Sequence, residues 1–153
     1  MLNPSDSAPS FNLPASGGNT ISVPTGKPTI LFFYPKDDTP GCTTESKAFS
    51  DKQADFAKLG VGIIGMSPDP VATHDRFTAK HDLTVPLVSD ESKNTLEAYG
   101  VWKEKSMYGK SYLGVERSTF LIGADGTIVE VWRKVRVKGH VDTVLEAATN
   151  HFG

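Results

Sequence analysis

The chain has 153 residues, 38% of them hydrophobic and 22% charged, with a formal net charge of −2. That is length for one domain with one good core, and it excludes disorder as the main state. A near-neutral charge leaves no basic surplus for phosphates, and no apolar run approaches the roughly 18 to 20 residues of a membrane-spanning helix, so neither a nucleic-acid binder nor a membrane protein is expected.

Residues 1–28 are rich in Pro, Gly, Ser and Asn, with short apolar pieces at Phe11–Leu13 and Ile21–Val23, which predicts an irregular start carrying a small hairpin. Thr29–Tyr34 (TILFFY) is continuously apolar, β-branched and aromatic, and reads as a strand buried on both faces. The turn formers Pro35–Gly41 follow. Cys42–Leu59 reads as a helix, with Phe49, Phe56 and Leu59 at helical spacing, Glu45 in its first turn and Gly60 as its stop. Val61–Met66 predicts a second buried strand, Val71–His81 a polar helix after Pro68 and Pro70, Pro86–Val88 a short strand, and Ser92–Tyr99 a short helix closed by Gly100. Lys103–Leu113 is read as a loop flanking the site, with Tyr108 or Met107 contributing to it. Ser118–Ile122, the turn Gly123–Gly126 and Thr127–Trp132 read as a hairpin. His140–His151 reads as a closing helix with Val141, Val144, Leu145 and Ala148 on one stripe. The alternation predicts an α/β layer fold of the thioredoxin-like kind, a mixed central sheet flanked by helices with an N-terminal hairpin addition, and one domain over residues 1–153.

Cys42 is the single cysteine, so neither an intramolecular disulfide nor a cysteine-cluster zinc site is possible. Its four histidine companions, His74, His81, His140 and His151, all read as solvated and suggest no metal. Cys42 follows a buried strand and a Pro/Gly-rich turn, at the predicted start of a helix. Unpaired N–H groups and the helix dipole favour a thiolate at such a position. From position alone, a reactive thiol and an inert buried one are about equally supported. Thr39 lies three residues earlier, where its hydroxyl either reaches the thiol's surroundings or caps the helix. Pro35 and Pro40 stiffen the loop. Lys36, Asp37 and Asp38 read as solvated loop charges, Glu45 as a helix-dipole carboxylate or a partner for an arginine, and Trp102 and Trp132 as packing residues.

The segment Phe33-Tyr34-Pro35-Lys36-Asp37-Asp38-Thr39-Pro40-Gly41-Cys42-Thr43-Thr44-Glu45 resembles the peroxidatic loop of the peroxiredoxins, most closely their PrxQ or bacterioferritin comigratory protein branch. The family pattern Pro-x-x-x-Thr-x-x-Cys is matched by Pro35, Thr39 and Cys42. Ala8-Pro9, Phe11–Leu13, Ser89-Asp90 and Arg117–Ile122 match further family segments in order, so the resemblance covers nearly the whole chain. It implies reduction of hydrogen peroxide and organic hydroperoxides in antioxidant defence. Cys42 would be the peroxidatic thiolate, Thr39 would hold the peroxide, Arg117 would stabilise charge moving across the O–O bond, and Pro35 would shield the site. No metal, flavin or haem is implied, because the sulfur performs the redox chemistry. The chain departs from the family where many members carry a resolving cysteine, five residues after the peroxidatic one: that position is Lys47, preceded by Ser46, and the segment Val71–His81 has no cysteine either. The resemblance therefore implies a one-cysteine member recycled by an outside thiol, thioredoxin or glutathione with glutaredoxin. A monomer is the expected state with a homodimer as the alternative, and the N-terminus, with no basic cluster before an apolar stretch, points to the cytoplasm. Competing readings are a cysteine hydrolase or acyl transferase, which needs a histidine base beside Cys42, and a redox sensor or interaction domain that keeps the fold without turnover.

Overall fold

The computed structural model describes all residues, Met1–Gly153. Strand β3 (Thr29–Phe33) is the organising element. All five of its residues are buried, because it is covered on both faces and paired on both edges. Side chains alternate along a strand. Thus Leu31 and Phe33 enter one core with Ile64, Met66, Phe120 and Ile122, whereas Ile30, Phe32 and Tyr34 enter the other with Phe49, Phe56, Phe77, Leu121 and Val144.

The remaining elements are β1 (Phe11–Ala15), β2 (Asn19–Val23), α1 (Pro40–Lys58), β4 (Gly62–Ser67), α2 (Val71–His81), β5 (Leu87–Ser89), α3 (Asn94–Ala98), β6 (Trp102–Met107), β7 (Lys110–Val115), β8 (Ser118–Ile122), β9 (Ile128–Trp132) and α4 (His140–Phe152). Seven strands form one sheet in the order β2-β1-β5-β4-β3-β8-β9. Its middle is parallel, β3 with β4 and β4 with β5, and its flanks are antiparallel. This is the mixed, helix-flanked thioredoxin-like sheet with an N-terminal hairpin that the sequence predicts. Side chains of α1, α2 and α4 fill the core that includes Phe32, and Leu96 of α3 enters the core that includes Phe33. No helix is long and apolar enough to cross a membrane.

The expectation of a loop over Lys103–Leu113 is corrected. Strands β6 and β7 pair as a separate two-stranded hairpin, Trp102 opposite Val115 through Met107 opposite Lys110. Its two-residue turn, Tyr108 and Gly109, has both residues at positive φ, 52° and 76°, which matches the twist of the strands it joins. Tyr108 stands 96% exposed at the tip, so it lines no site. The hairpin carries few core-facing residues, so no period of two marks it.

Candidate active site

Helix α1 begins two residues earlier than expected, at Pro40, whose fixed φ and missing N–H suit a first helical position. Thr39 takes the N-cap position in extended geometry but makes no side-chain cap. Its hydroxyl instead donates to the Lys36 carbonyl at 2.9 Å, inside the loop. Cys42 therefore sits in the first turn, where main-chain N–H groups lack helical partners. Glu45 is displaced to the second turn, and no acidic residue occupies the first.

Arg117 precedes β8, which pairs with β3 so that Ser118 lies opposite Phe33. That register delivers the guanidinium to the start of α1. Its Nη2 donates to Cys42 Sγ at 3.3 Å and its Nη1 to Glu45 Oε1 at 2.6 Å. Arg117, which the resemblance puts beside the thiolate, thus forms a half-buried bridge between sulfur and carboxylate. The reading of Glu45 as a dipole carboxylate gives way to the ion pair for the same reason: its side chain is fully buried, and a surface charge is not. Gly41 makes the approach possible, since a Cβ there would lie 3.2 Å from Arg117 Nη2. Cys42 is 1% exposed. Pro35, half-buried, leaves β3 just after Tyr34, so the loop from Pro35 to Thr39 runs from the sheet to the helix that carries the sulfur.

The electrostatics of this cluster are finely opposed. Burial pushes the Glu45 carboxyl up to about 7, against the charge and hydrogen bond of Arg117. Burial works against the Arg117 cation, but Glu45 and Cys42 outweigh it and hold the guanidinium firmly charged. Lys105 on β6 is pulled below its ordinary value by burial and by the Arg117 charge, while the Cys42 sulfur and Glu116 oppose this. The hairpin thus brings Lys105 within electrostatic reach of Arg117, whereas Tyr108 stands exposed at its tip.

Glu45 makes a pH prediction. Its folded value of about 7 exceeds its ordinary 4.5, so between these values the folded chain keeps a proton that the unfolded chain releases. Its ionisation therefore costs stability progressively as pH rises from 4.5 to about 7. His140 acts oppositely: burial and then the Arg117 charge lower it from 6.5 to about 4, so its contribution is lost as pH falls through that window. Glu45→Gln removes only the first effect. Between pH 5 and pH 8 the variant should gain stability relative to the wild type by about 2–3 kcal/mol, since each pH unit spent between the two values is worth roughly 1.4 kcal/mol. Urea melts at both pH values measure this, and a difference that does not change with pH would contradict it.

The histidines correct the expectation of solvated side chains. His74 is fully buried, its Nδ1 at 2.7 Å from Asp37 Oδ2 and its Nε2 at 3.0 Å from the Val88 carbonyl. His140 is buried against Thr119 Oγ1 at 2.8 Å. His81 pairs with Asp38 at 2.8 Å, and only His151 keeps a largely open ring near Glu130. Asp37, read as a solvated charge, is 4% exposed. These partners lie 14 to 43 residues away in sequence, which is why periodicity does not reveal them. Asp37, Asp69 and His74 bring ligand-type atoms within 4.8 Å of one another, but both nitrogens of His74 and oxygens of both acids already face protein partners. No histidine bonds the Cys42 sulfur, whose side-chain partner is Arg117. The base that a cysteine hydrolase requires is missing from this arrangement.

The chain is similar to known proteins over most of its length. The family model described as AhpC/TSA matches residues 4–131. Peroxiredoxin Bcp of Xanthomonas campestris is 48% identical over 148 residues, covering 94% of this chain and 92% of that protein. Peroxiredoxin Bcp of Bacillus subtilis is 46% identical, covering 91% and 90%. Among solved structures, Xanthomonas campestris bacterioferritin comigratory protein, studied for alkyl peroxide reduction, superposes with a TM-score of 0.90 at 43% identity, over 100% of this chain and 98% of that one. A cysteine-to-serine mutant of Xylella fastidiosa PrxQ superposes with a TM-score of 0.93 at 39% identity, over 99% and 98%.

Proposed function

The chain belongs to the AhpC/TSA family, among its Bcp/PrxQ peroxiredoxins, and from that premise we propose that Cys42 reduces hydrogen peroxide and alkyl hydroperoxides with Thr39, Arg117 and Pro35 completing the site. As a peroxiredoxin it is a thiol peroxidase, acting on peroxides and consuming a thiol reductant. The observation that carries the assignment to these residues is the Arg117 guanidinium placed at once on Cys42 Sγ and on Glu45.

The Cys42 thiolate attacks one peroxide oxygen. An S–O bond forms as the O–O bond breaks, and the departing oxygen takes a proton and leaves as water or alcohol. Negative charge moves from sulfur onto the oxygens during this step. A guanidinium fixed beside the sulfur stabilises that redistribution with no reorganisation at the moment of reaction. The Thr39 hydroxyl donates its proton to the Lys36 carbonyl, which leaves its oxygen to accept the peroxide O–H. Pro35 excludes water from the loop side. A first outside thiol then converts the sulfenic acid to a mixed disulfide, releasing water. A second frees the Cys42 thiol and carries both sulfurs away as a disulfide.

Because Cys42 is the sole cysteine, both thiols come from outside. Lys47, at the position where many relatives place a resolving cysteine, is exposed on α1, and Ser46 before it is buried. The reductant is thioredoxin or glutathione with glutaredoxin, the protein works as a monomeric single domain, and its compartment is the cytoplasm. Steady-state peroxide consumption with dithiothreitol tests the reading. The wild type should turn over many times and Cys42→Ser not at all. A wild type that reacts once and stops would favour the sensor reading, and one that never reacts would leave only the fold in common with the family.

A sulfenic acid that waits for an outside thiol has longer to meet a second peroxide and pass to sulfinic acid. Inactivation per turnover should therefore fall as thiol concentration rises. Loss of activity independent of thiol supply, followed by mass spectrometry, would contradict this.

A further inference from the structure

The loop between Pro35 and Thr39 is gripped from α2 at two successive residues. Asp38 has a left-handed φ of 60° and accepts from Lys80 Nζ at 2.7 Å and from His81 Nε2 at 2.8 Å. Asp37 is held inside. Its Oδ1 accepts the Tyr34 hydroxyl proton at 2.6 Å, its Oδ2 faces His74 Nδ1 at 2.7 Å, and its main-chain N–H donates to Asp69 Oδ2 at 2.8 Å.

The proton count follows from the partners. The Val88 carbonyl can only accept, so His74 Nε2 carries a proton. The Tyr34 proton is already committed to Asp37. One proton remains between Nδ1 and Oδ2. That proton joins the two buried side chains, His74 Nδ1 to Asp37 Oδ2 at 2.7 Å. Asp69, before α2, is the charged group beside the pair, and Asp38, Arg76 and Lys80 line the hollow next to Asp37. A fully buried and fully hydrogen-bonded polar pair of this kind rigidifies the segments that it joins.

We propose that His74 is a positioning residue for peroxide reduction: through its buried hydrogen bond it fixes Asp37, and through Asp37 the loop that carries Thr39 to the start of the Cys42 helix. The link to Thr39 is the Lys36 carbonyl, the residue before Asp37, which accepts the Thr39 hydroxyl. The proposal rests on Cys42 as the peroxidatic residue.

The test uses whole, prereduced protein. Single-turnover oxidation of Cys42 by hydrogen peroxide is compared with its alkylation by iodoacetamide in the wild type, His74→Phe, Asp37→Asn and the double variant. Misplacing a reacting group by about 1 Å costs on the order of 100-fold, so the peroxide rate constant should fall at least about tenfold in each single variant while the alkylation rate constant stays within about twofold of the wild type. The double variant should fall no further, because both changes break one contact. General loosening of the fold would instead raise alkylation without selectively slowing peroxide. Should His74→Phe not fold, Asp37→Asn carries the kinetics. Variants that react with peroxide at the wild-type rate would overturn the proposal alone. A wild type inert to peroxide would overturn the assignment of Cys42 and this proposal with it.

Discussion

Arg117→Met should lower the second-order rate constant for peroxide reduction by about 10²–10³-fold, the usual cost of removing one preorganised charge or donor from a developing oxyanion. Nη2 of Arg117 lies 3.3 Å from the sulfur that loses charge in the transition state. Methionine keeps much of the side chain's volume, so the loss reports charge and hydrogen bonding more than packing. Lysine should restore only a small part. The arginine reaches Cys42 and Glu45 with two nitrogens of one rigid fork, and a single ammonium cannot hold both directions. Lys105 nearby supplies charge but no fork. Stopped-flow oxidation of prereduced protein measures the effect, and a loss under about threefold would show that the helix terminus and main-chain donors suffice.

Phe49→Ala should cost about 3–5 kcal/mol of stability, out of the roughly 5–15 kcal/mol that domains of this kind possess. The ring is fully buried between layers. It stacks on Phe32 of β3 at 4.5 Å, meets Phe56 at 6.3 Å and stands edge-on to His140 at 6.2 Å. It therefore ties α1 to the sheet and to the first residue of α4. Deleting it leaves a cavity walled by rigid rings, which collapse poorly. Because α1 also carries Cys42, two turns earlier, the variant should lose peroxidase activity before it loses its fold. Urea titration measures the stability, and a cost under about 1 kcal/mol would mean that the layer closes over the gap.

The elements that a one-dimensional pattern specifies are legible in the sequence. Thr29–Phe33 is buried on both faces and reads so from its unbroken apolar run. Val71–His81 is bounded by prolines before it and by the left-handed Asp82 after it. Cys42 stands out as a candidate because a turn, a helix start and a lone sulfur coincide. Pairings made across the fold leave no such trace in the pattern: the family resemblance, not periodicity, points to Arg117, and Glu45 reads either as a helix-dipole carboxylate or as an arginine's partner. Arg117 and Glu45 are 72 residues apart and meet only because β8 pairs beside β3. His74 and Asp37 look like ordinary polar residues until a tyrosine, a carbonyl and a carboxylate surround them. The hairpin of β6 and β7 escapes for the opposite reason: much of it faces water, as exposed Met107, Tyr112 and Leu113 show, so burial does not impress a pattern on it.

The single buried sulfur has a practical corollary. Every oxygen, glutathionyl group or partner chain that the protein acquires through thiol chemistry has one possible address. The intact mass of the chain is therefore a direct readout of its mixed disulfides. A population sampled during turnover resolves into unmodified and thiol-bound fractions without digestion or site mapping, whereas added oxygen is shared with the exposed Met1 and Met107. The identity of the adduct that accumulates would name the physiological electron donor directly.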